Sequence, residues 1–109
     1  MLQQFCHYMR QRKQRHQKAA VDLRAICDQV GKEFECKSYD ALLENSEENF
    51  EYPDKEYGGY NISFSGEACL QKNGDIHYTL DLHCNVPFIA WALPSYVFYK
   101  RKDGSVYYG

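Results

Sequence analysis

The sequence lacks most of the patterns from which an activity can be predicted. It contains no Walker phosphate-binding loop, no G-x-G-x-x-G and no H-E-x-x-H, so nothing in it predicts a nucleotide, dinucleotide or zinc-protease site. Its five cysteines are odd in number and include no C-x-x-C pair, which argues against a disulfide framework and against a zinc site. We therefore predict no catalytic residue, no metal and no cofactor, and free thiols in a reducing compartment.

Long hydrophobic runs are also missing. The longest apolar stretch, Val86 to Leu93, is too short to cross a bilayer. The first twenty residues hold five cations and no apolar run of the length found in secretory signals. These absences predict a cytoplasmic protein that does not enter a membrane. With 109 residues, 44% of them hydrophobic and 26% charged, the chain has the size and composition of a single globular domain over residues 1–109.

Acidic residues are absent from the first twenty positions, and charge is strongly segregated along the chain. The net charge is −2, but residues 1–20 alone carry +5, and residues 33–56 carry nine acids against two lysines. Each segment can attract the other or an oppositely charged molecule. The basic segment contains the cations Arg10, Arg12, Lys13, Arg15 and Lys18.

Neither glycine nor proline occurs before Gly31, which favours an N-terminal helix ending there. Apolar residues recur at helical spacing, at Leu2, Phe5, Cys6, Met9, Ala20, Leu23, Cys27 and Val30. Residues 10–18 interrupt this stripe. An unbroken helix would be about 45 Å long, whereas a compact domain of this size is about 34 Å across. We expect the helix either to break near residues 10–18 or to project and offer Leu2, Phe5 and Met9 to a partner or to a second copy in a homodimer.

Two further segments follow the first helix. Ser38 is a suitable N-cap for a short second helix over Tyr39 to Glu44. The stretch from Asn45 to Gly59 is acidic and contains Pro53 and a Gly58-Gly59 pair, so we interpret it as an exposed loop.

The segment from Tyr60 to Asn85 has the strict alternation of a β-hairpin with one dry and one wet face. A two-residue turn at Asn73-Gly74 would pair apolar with polar residues. A three-residue loop over residues 72–74, with Gly74 in the left-handed conformation, instead pairs Leu70 with Ile76 and Phe64 with Leu82. We predict this second register because it buries one complete face.

The remaining chain predicts more strands. Pro87 to Ser95 has the composition of a strand around Trp91, and Tyr96 to Arg101 and Ser105 to Tyr108 form a second hairpin around residues 102–104. The fold class is therefore α+β, with a long N-terminal helix and a short helix packed on one face of a four- to five-stranded antiparallel meander.

The wet face of the first hairpin brings together the side-chain types of a hydrolase. The predicted register pairs Ser63 with His83, Ser65 with Asp81, and Cys69 with His77. A serine or cysteine beside a histidine can form a nucleophile, but an exposed sheet face offers neither a pocket nor an oxyanion hole. We interpret these residues as ordinary surface side chains.

A non-catalytic protein-binding module is the function that we predict. Acidic and aromatic residues are interleaved after the second helix, and such a surface combines electrostatic steering with aromatic contact area for a basic partner. An immunity protein, an inhibitor or an anti-defence factor would have these properties. The predicted partner-binding residues are Glu44, Glu47, Glu48, Glu51, Tyr52, Asp54, Glu56 and Tyr57.

Two alternatives remain open at this point. A nucleic-acid-associated regulator would use the basic segment, with cations at positions 10, 12, 13, 15 and 18 contacting phosphates. A small ligand-binding or hydrolytic domain would use a pocket between helix and sheet near Trp91, Tyr78 and His77.

Overall fold

The computed structural model describes residues 2–85 and 93–109, with side chains described from residue 17 onwards. The predicted α+β architecture is confirmed, because two helices precede five strands that form one antiparallel sheet in the order β1-β2-β3-β4-β5. Its elements are α1 (Leu2–Glu35), α2 (Tyr39–Glu44), β1 (Glu47–Pro53), β2 (Asn61–Leu70), β3 (Ile76–Cys84), β4 (Ser95–Lys100) and β5 (Val106–Tyr107). The predicted strand around Trp91 falls largely on residues 86–92, which lie outside the described residues.

The core lies between α1 and one face of the sheet. Within the described part of α1 the buried side chains recur at helical spacing, and Ala19 is buried where the sequence pattern predicted Ala20. Aromatic rings fill the interface: the Tyr78 ring lies 5.4 Å from that of Phe34 and 5.3 Å from that of Phe98. The buried residues of α1 are Ala19, Leu23, Ile26, Cys27, Val30 and Phe34.

The expected helix end at Gly31 was wrong. The helix continues for another turn to Glu35, and Gly31 is a buried residue inside it. The Tyr96 ring packs directly on this position, because a Cβ at Gly31 would lie only 2.3 Å from Cγ and Cδ1 of that ring. Glycine is required here for a close approach between helix and strand, which local sequence cannot reveal.

The end of α1 is held by polar contacts with β4. The buried Lys100 donates from Nζ to the backbone carbonyl of Glu35 at 2.7 Å, which satisfies one of the free carbonyls of the last turn. The Tyr96 hydroxyl donates to Glu35 Oε1, also at 2.7 Å. Burial and this carboxylate raise the pKa of Tyr96. These contacts hold the last turn of α1 against β4.

The helix is also continuous through the interruption in its apolar stripe. Because α1 runs unbroken from Leu2 to Glu35, the first of the two alternatives, a break near residues 10–18, is excluded. At 1.5 Å per residue the helix is about 51 Å long. That its first eighteen residues meet a partner or a second copy stays a prediction.

Local signals located the hairpin turns and α2 correctly. The β2–β3 register pairs Leu70 with Ile76 and Phe64 with Leu82, and Gly74 has a φ of 91°, as predicted for the three-residue loop. The β4–β5 turn repeats this geometry, with Gly104 also at 91°. Ser38 caps α2 by accepting a hydrogen bond from the Ala41 N–H at 3.1 Å.

The interpretation of residues 45–59 as an exposed loop was wrong for seven of its fifteen residues. Residues 47–53 form β1, which pairs with β2 along its full length. Acidic residues are poor strand formers, but the free edge of the ten-residue β2 offers backbone partners, and the Phe50 ring stacks between Phe34 at 5.6 Å and Phe64 at 5.3 Å. Tertiary contacts therefore override the weak local preference.

Candidate functional site

The face of the sheet opposite α1, which we call the open face, carries none of the buried side chains of the described structure. Strand alternation determines its composition, because the register places every second residue of all five strands on it. From β1 to β5 it carries Glu47, Asn49, Glu51, Pro53, Asn61, Ser63, Ser65, Glu67, Cys69, His77, Thr79, Asp81, His83, Ser95, Val97, Tyr99 and Tyr107.

Carboxylates are concentrated on the β1–β3 side of the open face. Glu47 lies directly opposite Glu67, and Asp81 lies opposite Ser65 on the adjoining strand pair. Like charges in directly opposite positions destabilise a sheet. These side chains border a shallow depression of about 200 Å³, which Asn49 also lines. The carboxylates of Glu47, Glu51, Glu67 and Asp81 form a surface that we call the acidic half of the open face.

The ion pairs of the described side chains all lie away from the acidic half. Three of them lie within α1, and the fourth joins Lys37 Nζ to Glu48 Oε2 at 3.3 Å on the helix side of the sheet. No cation whose side chain is described therefore lies within 4 Å of a carboxylate oxygen of Glu47, Glu51, Glu67 or Asp81. Asp81 accepts a hydrogen bond from the Ser95 hydroxyl at 2.5 Å, which is a neutral donor.

Strand alternation separates the acidic residues predicted from sequence. Glu47 and Glu51 lie on the open face, whereas Glu48 and Tyr52 lie on the helix side, where burial raises the pKa of Tyr52. Glu44, at the end of α2, and Glu56, in the β1–β2 connection, are exposed elsewhere. The structure thus places only two of the eight predicted residues, Glu47 and Glu51, in the acidic half of the open face, and the role of all eight in binding stays a prediction.

Asp54 and Tyr57 help to form the β1–β2 connection. The Asp54 carboxylate accepts hydrogen bonds from the N–H of Tyr57 at 2.8 Å and of Tyr60 at 3.0 Å. The Tyr60 hydroxyl then donates to Asp22 Oδ2 at 3.3 Å, which ties the connection to α1. Asp54 is therefore engaged in local structure, and its two oxygens are less available to a partner than those of Glu47.

Sequence reasoning missed Glu67 and Asp81 as members of the acidic surface. The signal was present, because the predicted register already placed both residues on the wet face of the hairpin. Their clustering with Glu47 and Glu51 required β1, which local sequence did not reveal. Counting charges along the chain identifies the acidic segment, but the acidic half forms only when the strands pair.

The β3–β5 side of the open face carries an aromatic row. The rings of His77 and Tyr99 lie 4.9 Å apart, those of Tyr99 and Tyr107 are stacked at the same distance, and Arg101 Cζ lies 4.2 Å from the Tyr107 centroid. Tyr107 donates to the carboxylate of Asp75, and this bond raises the pKa of Tyr107. The side chains of the aromatic row thus pack mainly against one another.

The polar side chains of the β2–β3 hairpin do not assemble a catalytic triad. Ser65 Oγ lies 2.8 Å from His83 Nε2, but the carboxylate of Asp81 binds Ser95. Cys69 faces His77 across the strands as predicted. Among the described side chains no group of three or more histidine, cysteine or acidic residues is arranged to hold a metal ion.

The residues of the alternative hypotheses are placed as follows. Tyr78 is fully buried in the core while His77 lies on the open face, so the two do not line one pocket, and Trp91 lies outside the described residues. Of the basic segment, the side chain of Lys18 is described; it is 74% exposed and lies 3.9 Å from Asp22. No helix in the described ranges has the length and apolar character needed to cross a membrane.

Neither a protein-family model, nor a curated protein, nor a solved structure matches this chain.

Proposed function

We propose that this protein is a non-catalytic binding module that engages a basic protein partner through the acidic half of the open face. The observation that carries the proposal is the presence of four carboxylates on one face, where none of them has a described cation within ion-pairing distance. A docked cationic surface would reduce the repulsion among the four carboxylates, and this reduction would stabilise the complex.

A role in blocking a basic enzyme fits this surface. An acidic face can occupy the cations with which such an enzyme holds its own substrate, which is how an immunity protein, an inhibitor or an anti-defence factor would act. The described cysteines, Cys27, Cys36, Cys69 and Cys84, are free thiols, which fits a reducing cytoplasm. The basic segment of α1 takes no part in the proposed contact with the partner.

The test uses a defined cationic probe, an acetylated and amidated seven-residue peptide of alternating arginine and valine. We expect isothermal titration calorimetry to detect binding at 20 mM salt and an affinity loss of about tenfold or more at 200 mM salt, because surface charges are screened over about 10 Å at 0.1 M. Replacing the four carboxylates by their amides should abolish binding while leaving the fold intact. The open-face variant carries Glu47→Gln, Glu51→Gln, Glu67→Gln and Asp81→Asn.

A matched control removes the same number of charges elsewhere. Its four positions are exposed and lie off the open face, in α1, in α2 and in the β1–β2 connection. If affinity depends only on net charge, both variants will weaken binding equally and the proposal fails. The proposal also fails if the wild-type protein does not bind the peptide but binds a single-stranded RNA oligonucleotide at low salt. The control carries Glu33→Gln, Asp40→Asn, Glu44→Gln and Glu56→Gln.

A further inference from the structure

Strand β1 is an edge strand whose outer side has no partner among the described residues. It pairs with β2 on one side, and no backbone hydrogen bond joins residues 47–53 to any other described element. At the opposite edge β5 has only two residues. An unpaired edge of seven residues is a template for the addition of another strand.

The pairing pattern shows which backbone groups point outward. The Ala68 N–H donates to the Ser46 carbonyl at 2.8 Å, so Ser46 and Ala68 form a hydrogen-bonded pair. Such pairs alternate along an antiparallel ladder. Residues 48, 50 and 52 therefore bond to β2, and residues 47, 49 and 51 direct their N–H and C=O groups away from the sheet. Pro53, which lacks an N–H, falls in the outward set, where no ladder bond is lost.

The side chains along this edge have two different characters. On the open face Glu47 and Glu51 are exposed. On the helix side Phe50 and Tyr52 are half-buried against the core, with the Tyr52 ring 5.9 Å edge-on from that of Phe64. An added strand would thus meet carboxylates with one set of side chains and aromatic rings with the other.

From this arrangement we infer that β1 accepts an extended segment of the basic partner as a sixth strand. Arginine or lysine at alternate positions of that segment faces Glu47 and Glu51, and apolar residues between them pack beside Phe50 and Tyr52. Four residues of a strand span about 13.6 Å, so two cations four residues apart match the two glutamates. This inference rests on the proposed function and specifies the conformation and sequence pattern of what binds.

The first test changes the peptide. We expect the arginine–valine peptide to bind at least tenfold more tightly than the same peptide carrying an N-methyl group on each internal amide, because methylation removes the backbone donors and keeps every side chain. Equal binding of the two peptides, together with weakened binding by the open-face variant, would refute strand addition and leave the proposed function standing. Absence of binding by both peptides would refute the proposed function itself.

The second test changes the protein at Asn49. Asn49→Pro removes an outward N–H and leaves the ladder to β2 intact, so we expect a wild-type circular dichroism spectrum and an affinity loss of about tenfold. Asn49→Ala, which keeps the N–H, should bind the peptide within about twofold of wild type.

Hydrogen exchange on the wild-type protein provides a measurement that does not depend on the folding of a variant. Saturating peptide should slow exchange of the Glu47, Asn49 and Glu51 amides by tenfold or more, because these N–H groups gain acceptors in the complex. The Phe50 amide already bonds to β2 and should change much less. Unchanged exchange at all three outward amides in a peptide-saturated sample would overturn the inference.

Discussion

Replacing Gly31 with alanine should destabilise the protein, although alanine is the better helix former. Gly31 is inside α1, and an alanine Cβ would lie 2.3 Å from two atoms of the Tyr96 ring and 2.6 Å from a third. Carbon atoms in favourable contact lie about 3.5–4.0 Å apart, so the ring would have to move by more than about 1 Å. Its hydroxyl bond to Glu35 and its burial in the core oppose that movement.

The magnitude follows from two opposing contributions. Overpacking of a filled core costs roughly 1–3 kcal/mol, and the intrinsic preference for alanine over glycine in a helix returns about 0.8–1.0 kcal/mol. We therefore expect Gly31→Ala to lower the free energy of unfolding by up to about 2 kcal/mol. For a domain of this size each kcal/mol corresponds to about 4–8 °C in the midpoint of thermal unfolding.

Urea denaturation followed by circular dichroism gives the comparison, and a double-mutant cycle isolates the cause. In the Tyr96→Ala background the ring is gone, so Gly31→Ala should stabilise the protein by about 0.8–1.0 kcal/mol. The effect of one substitution then changes sign with its neighbour, and the coupling energy is about 1–3 kcal/mol. A stabilising Gly31→Ala in the wild-type background would refute the close approach of helix and strand.

Two further predictions concern cysteine residues. Burial raises the pKa of the Cys27 thiol from 9.0 to about 11; because the folded state holds this proton more tightly, its stabilisation is complete below pH 9 and is lost as the pH rises towards 11. Between pH 8 and pH 10 the free energy of unfolding should thus fall by about 1 kcal/mol more in the wild type than in Cys27→Ala, whereas an equal fall in both proteins would contradict this cause. Replacing both Cys69 and His77 with alanine should leave the affinity for the arginine–valine peptide within about twofold, because the pair lies outside the acidic half; loss of binding with an unchanged circular dichroism spectrum would assign these residues a role.

The acidic half illustrates why charge along a sequence differs from charge on a surface. Residues 47–53 contain three glutamates, but strand alternation sends Glu48 to Lys37 on the helix side and leaves the other two on the open face. Glu67 and Asp81 come from strands that carry little net charge. A surface of one charge sign is thus assembled from three strands that no local window of sequence contains.

The same edge strand also bears charges that commonly protect sheets against uncontrolled association. Charged side chains and a terminal proline on an edge disfavour pairing with a second copy of the same strand, since glutamates would then face glutamates. A basic segment would instead place cations opposite Glu47 and Glu51. In the proposed complex, the residues that disfavour self-association, Glu47, Glu51 and Pro53, would also select a cationic partner.

The sequence by itself determined the features that depend on neighbouring residues. The turns at residues 72–74 and 102–104, the α2 cap at Ser38 and the β2–β3 register follow from short-range conformational preferences and from the burial of one strand face, of which only the turn-end residue Leu70 is largely exposed. The contents of the open face of that hairpin followed in turn, because strand parity divides side chains between two faces.

Tertiary structure decided the features that depend on distant residues. Position 31 inside α1 has no room for a side chain because a tyrosine 65 positions later packs on it, and the last turn at Glu35 is tied to β4 by the bond from Lys100 to its carbonyl. An acidic segment becomes β1 because β2 offers it hydrogen-bond partners and aromatic rings bury Phe50. In each case a contact between residues far apart in the chain outweighs a local preference of about 1 kcal/mol or less, and such contacts exist only once the sheet has formed.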